Sequence, residues 1–189
     1  MRGVAATASG GTNNYGVYNN SSSPTMTNVT ATVSGGTDTY GVYNTAASPT
    51  MINVTVIASG GASNRGVANY SASPTMTGLT ATVSGGNHSY GVWNESSSVV
   101  IQNSVINASG GAIANDGLHN TASSGAYTVT IDASQIAAGN STIYSDSVHY
   151  TTLIGASEIG GAGGVQGAGN YTCVFSYNGS YIALNSACH

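Results

Sequence analysis

Charge is what this 189-residue chain has least of. Two basic side chains, Arg2 and Arg65, stand against six acids, for a net charge of −4. So few cations cannot neutralise a phosphate backbone or hold an anionic membrane, and nucleic acid is not an expected partner. No apolar run is long enough to cross a bilayer and the first residues carry no apolar signal-like segment, so membrane insertion is not expected either. Asn, Ser, Thr and Gly take the place of the missing charges, and a neutral surface of hydroxyls and amides suits an extracellular setting. Only two cysteines are present, Cys173 and Cys188, with 14 residues between them. Cross-linking a loop of that size restricts the unfolded chain by about 3 kcal/mol. A disulfide is the expectation, and with it an oxidising compartment. Apart from His189 no His or Cys lies near them at ligand spacing, so neither a metal site nor a cofactor is expected.

What the sequence does have is a repeat. Ser-Gly-Gly returns at Ser9, Ser34, Ser59, Ser84 and Ser109, every 25 residues, together with the blocks Ser-Pro-Thr-Met and Tyr-Gly-Val-Tyr-Asn. A fixed period of this size is the signature of a solenoid, in which each coil is covered only by the next. Two positions of the period are apolar throughout: Val17, Val42, Val67 and Val92 at one, Met26, Met51, Met76 and Ile101 at the other. Val29 to Val33 alternates apolar and polar, the pattern of a strand with one buried face. The Gly, Thr and Val content argues against helix. Three short strands per coil follow: Tyr15 to Asn19, a strand around Met26, and Val29 to Val33. Gly-Gly and Pro24, Pro49 and Pro74 mark corners. Asn28, Asn53, Gly78 and Asn103 share another position, which predicts a left-handed bend carrying an amide ladder through Asn28, Asn53 and Asn103. The predicted fold is all-β, a right-handed parallel β-helix of about seven coils with 25 residues per coil, roughly 35 Å long.

The period also describes the ends. Subtracting one coil from Val29, Ala31, Val33 and Ser34 lands on Val4, Ala6, Ala8 and Ser9, so the chain begins within a third strand. The expectation is a fragment lacking upstream coils, or an open amino-terminal coil edge through which the chain self-associates. After residue 111 the repeat decays, and six glycines fall between Gly160 and Gly169. The predicted organisation is a β-helix over 1–160, then a glycine-rich linker and a small disulfide-linked cap over 161–189.

Ser-Pro-Thr-Met-Thr-Asn with Tyr-Gly-Val-Tyr-Asn resembles the Ser-Pro-Thr-Ile-x-Asn and Gly-Ile-Tyr blocks of right-handed parallel β-helix repeat proteins, the pectate-lyase-like architecture. The tail, with Ile131 to Ile136, Gly155-Ala156-Ser157, Tyr171 to Val174 and Ala187-Cys188, resembles the carboxyl-terminal region of large bacterial surface or tail-fibre-like proteins. This resemblance implies a solenoid but no single activity, because the architecture carries lyases, hydrolases, adhesins and spikes alike.

Polysaccharide-processing enzymes on this architecture need carboxylates about 5 to 10 Å apart across a substrate. Asp38, Glu95, Asp116, Asp132, Asp146 and Glu158 share no position of the period, and His88, His119 and His149 are equally dispersed. No catalytic residues are expected. Tyr18, Tyr43 and Trp93 share one position, interrupted by Ala68, while Tyr15, Tyr40 and Tyr90 share another, interrupted by Arg65. Tyr18 follows the inward Val17 and should point outward, so Tyr18, Tyr43 and Trp93 form a candidate surface for stacking on sugar rings. Thr-x-Thr pairs such as Thr25/Thr27 and Thr30/Thr32 resemble an ice-binding array, broken at Ile52 and Ile57. Asn-x-Ser/Thr sequons occur at Asn20, Asn28, Asn53, Asn69, Asn94 and Asn107, as expected of this composition. The leading expectation is a non-catalytic structural segment of a secreted or cell-surface β-helical protein, building or projecting an extracellular fibre or adhesin. The alternatives, in order, are a glycan-binding surface, a polysaccharide-processing enzyme and ice binding.

Overall fold

Three left-handed residues per coil decide the shape. In the computed structural model, which describes Met1 to His189, Gly10, Gly35, Gly60, Gly85 and Gly110 turn one corner with φ of 72° to 83°. Ser21, Ala46, Ser71 and Ser96 turn the second with φ of 48° to 51°. Asn28, Asn53 and Asn103 turn the third with φ of 50° to 52°, and Gly78 takes the same place. Between corners the β-branched and aromatic residues are extended, as they favour a pleated, half-buried surface.

The strands stack into three parallel sheets and no helix forms. The first sheet has long strands, Asn13–Asn20, Asp38–Thr45, Ser63–Tyr70, His88–Glu95 and Ala114–Thr121. The second begins with the three-residue strands Thr25–Thr27, Thr50–Ile52 and Thr75–Thr77. The third has five-residue strands, Ala5–Ser9, Thr30–Ser34, Thr55–Ser59, Thr80–Ser84 and Val105–Ser109. Ala5 pairs with Thr30 and Thr30 with Thr55, the expected 25-residue register. Residues 1–3 also join the second sheet, where Gly3 N donates to Thr27 O and Thr27 N to Met1 O.

The interior is built of vertical columns. Val17, Val42, Val67, Val92, Leu118, Ile143 and Val165 form one, and Met26, Met51, Met76, Ile101, Ile131, Ile154 and Cys173 another. All are buried, and each large side chain so buried contributes about 1.5–3 kcal/mol.

The carboxyl-terminal end differs from expectation. The glycine-rich stretch is not a linker: Glu158–Gly161 and Val165–Gly167 are strands paired with Gln135–Ala138 and Ser141–Ser145. Its glycines answer close packing, since a side chain at Gly163 would run into Asn140 O and one at Gly167 into Ser145 O. Asn170–Val174 and Tyr177–Asn178 continue the second and third sheets, so the solenoid extends to Asn178 and the boundary at 160 falls inside a coil. After the 25-residue coils one longer coil precedes shorter ones. Backbone N–H groups of Ser104, Ser134 and Ser157 donate to the hydroxyls of Ser134, Ser157 and Ser176, at offsets of 30, 23 and 19 residues. The cap is therefore only the last eleven residues or so, tied back by Leu184 N to Ser176 O and Cys173 N to Ser186 O. Cys173 and Cys188 are disulfide-bonded, with Cα atoms 5.2 Å apart. Cys173 stands in the interior column above Ile154, inside a coil rather than beyond the coils.

Candidate functional site on the long-strand sheet

The outer side of the first sheet gathers most of the groups that could do chemistry. Its strands do not alternate strictly. A side chain at Gly41 would run into Val56, so Gly41 and Val42 both face the interior. Tyr40 and Tyr43 then flank them on the outside, with ring centroids 5.0 Å apart. Two outward columns result: Tyr15, Tyr40, Arg65, Tyr90 and Asp116, beside Tyr18, Tyr43, Ala68, Trp93, His119 and Tyr144. The expected isolation of Asp116 and His119 from these columns is thereby corrected. One inserted residue before Asp116 brings it into line with Tyr90, and the same shift puts His119 beside Trp93.

These groups engage one another. The Arg65 guanidinium lies 3.0 Å from Asp38 Oδ1, donates to Tyr40 Oη at 3.1 Å, and sits 5.0 Å from the centroid of Trp93. His119, from the following coil, stacks on Trp93 at 4.3 Å with an interplanar angle of 2°. Neighbours from the coils before and after thus cover Trp93. Its Nε1 and Arg65 Nε are left without hydrogen-bond partners, a sign that ring and cation packing set the geometry. His119 Nδ1 pairs with Asp116 Oδ2 at 2.9 Å, and Nε2 lies 3.9 Å from Asp146 Oδ2. The imidazole occupies the space between the two carboxylates, where a glycosidase would place its substrate. Where Ala68 interrupts the ring column, Tyr70 stacks on Tyr43 at 5.0 Å. Burial raises the hydroxyl pKa values of Tyr40, Tyr43, Tyr70 and Tyr90 above the usual tyrosine value. Of the three rings singled out for sugar stacking, Tyr18 is 55% exposed while Tyr43 and Trp93 are half-buried.

Just inside this face runs a feature that the sequence reading missed. Asn19, Asn44, Asn69, Asn94 and Asn120 are buried, and each donates from Nδ2 to the next carbonyl at 2.8 Å, ending with Asn120 on Ser145 Oγ at 3.0 Å. The signal was available, because every copy of the Tyr-Gly-Val-Tyr-Asn block from residue 15 to 120 closes on Asn. The ladder expected at Asn28, Asn53 and Asn103 amounts to one exposed bond of 3.4 Å from Asn53 to Asn28. Gly78 interrupts it before Asn103. Two sequon residues, Asn69 and Asn94, are committed to the buried ladder and closed to glycan attachment.

The other faces carry little besides hydroxyls. Thr25, Thr50 and Thr75 are exposed on the second sheet and Thr30 and Thr80 on the third, with Ile52 and Ile57 interrupting. A shallow groove of about 360 Å³ crosses the second sheet between Gln102, Asp132, Leu153 and Val174, away from the long-strand face. No cluster of three or more His, Cys, Asp and Glu gathers to hold a metal. Protein-family models, curated proteins and solved structures give no match to the chain.

Proposed function

We propose that this chain is a non-catalytic, shape-holding segment of a secreted or surface-displayed β-helical protein, serving to build or project an extracellular fibre or adhesin. The observation that carries the reading is the mutual engagement of the long-strand face. Arg65, Trp93, His119, Asp38 and Asp116, the groups best suited to catalysis or ligand capture, contact one another across coils. The disulfide and the charge-poor exterior agree with an extracellular setting. The test is antibody labelling of intact source cells and their culture medium. Labelling without permeabilisation, or secreted chain, is expected; chain found only in lysed cells overturns the proposal.

A second reading, glycan binding, draws on Tyr15 and Tyr18, which remain 37% and 55% exposed and stack at 5.5 Å. A glycan array decides between the two: a hit lost in Tyr18→Ala favours binding, and a silent array favours the rod. Release of reducing ends from pectin-like polymers would instead point to an enzyme.

A further inference from the structure

We infer that the regular coils between residues 4 and 111 are of two kinds, that each kind there stacks on the other, and that the stacking unit of this region is therefore a pair of coils spanning 50 residues. The inference goes beyond the proposed function and does not depend on it.

Two independent sets of contacts alternate in phase. At the corner between the third and first sheets, Asn14, Asn64 and Asn115 fold back so that Oδ1 accepts from Gly11, Gly61 and Gly111 N, while Nδ2 donates to the same glycines' carbonyls. Asn14 and Asn64 also reach up to Gly35 O and Gly85 O of the next coil, at 2.8 Å and 2.9 Å. The intervening coils have Thr39 and Ser89 there instead, and the second glycine of the corner flips to positive φ, 85° at Gly36 and 73° at Gly86. Gly11, Gly61 and Gly111 are not in that region. A side chain at Gly36 or Gly86 would run into the carbonyl of Gly11 or Gly61 below, so the flip is matched to the coil beneath it.

The interior of the third sheet alternates with the corner. Down one column the residues are Ala8, Val33, Ala58, Val83 and Ala108; down its neighbour they are Ala6, Ala31, Val56, Ala81 and Ile106. From Val33 to Ala108 each large side chain lies over a small one, whereas the following coil sets Ile136 on Ile106 and Ala138 on Ala108; all but Ala6 and Ala8 are buried. Among the 25-residue coils, like on like would put two small side chains together in one column and two large ones in the other, which close packing disfavours. Like meets like at the open first coil, where Ala31 lies on Ala6, and where the regular repeat ends, at Ile106 and Ala108. Asn corners thus follow Ala8, Ala58 and Ala108, and hydroxyl corners follow Val33 and Val83.

Coil deletions test this directly. Removing residues 54–78 takes out one coil and sets Val33 on Val83 and Thr39 beside Ser89. Removing residues 29–78 takes out two coils and restores Ala8 beneath Val83. A solenoid stabilised by uniform neighbours loses stability with each coil removed. The pair rule predicts the reverse order, with the two-coil deletion melting above the one-coil deletion, or folding where the other does not. A second variant keeps the test decisive should both deletions fail to fold. The exchange Ala81→Val with Val83→Ala in the full chain leaves composition unchanged and is predicted to lower the melting temperature clearly. A one-coil deletion melting at or above the two-coil deletion, or a neutral exchange, overturns the inference.

Discussion

The long-strand face and the two short-strand faces obey the same period but use it differently. On the first sheet, eight-residue strands bring Tyr, Trp, Arg and His side chains into columns one coil apart, close enough for rings to stack and charges to pair. On the second and third sheets, three- and five-residue strands present mostly Thr and, between residues 4 and 110, no ionisable side chain. The spacing of about 4.8 Å between parallel neighbours explains both. At that distance a large side chain finds its copy above it and packs, whereas a threonine is too short and stays with solvent. Stability sensitive to outward side chains should therefore concentrate on one side of the rod.

The largest effect should come from the shared interior beneath both. Met51→Asp places a carboxylate in a column that is 1% exposed, with no partner, and should cost several kcal/mol or abolish folding. Loss of the thermal transition is the readout. Next is Asn69→Leu. It orphans Asn44 Nδ2 below and Asn94 Oδ1 above, at about 1–3 kcal/mol each. Asn53→Gly, in the exposed bond on the other side, should change the melting temperature little, because glycine accepts its φ of 52°.

Alkaline titration separates the faces next. In the folded chain the hydroxyls of Tyr40, Tyr43, Tyr70 and Tyr90 hold their protons above the usual pKa of 10.0, mainly through burial. Above that pH the unfolded chain binds fewer protons than the folded one, so stability should fall as pH rises past about 10 and be flat just below it. Tyr70→Phe should blunt the fall; a fall of unchanged depth in that variant would deny that burial of its hydroxyl contributes. The smallest effect is expected on the third sheet, where Thr30→Ser alters an exposed hydroxyl and should stay within about 0.5 kcal/mol of the parent.

Much of this architecture was legible in the chain, because a solenoid writes its inside and outside into fixed positions. Val17 and Met26 declared the interior and Asn28 and Asn53 the left-handed bend. What stayed hidden depended on shifts of one residue or on side-chain choice within a column. Asp116 and His119 looked scattered until one extra residue put them in register with Tyr90 and Trp93. The buried ladder was masked by the bend signal at Asn28: Asn19 lies in an extended strand two residues after the inward Val17 and is buried, whereas Asn28 turns a corner with φ of 52° and is exposed. The glycines from Gly160 to Gly169 suggested a flexible linker because composition does not distinguish freedom from close approach.

The most direct test of the central claim, a parallel solenoid with 25-residue register held by a buried amide ladder, is side-chain NMR on asparagine-labelled protein. The account predicts contacts linking the carboxamides of Asn19, Asn44, Asn69, Asn94 and Asn120 in that order, with slow hydrogen exchange, and fast exchange at Asn28 and Asn103. Fast exchange throughout the first set, or contacts that skip a coil, would contradict it.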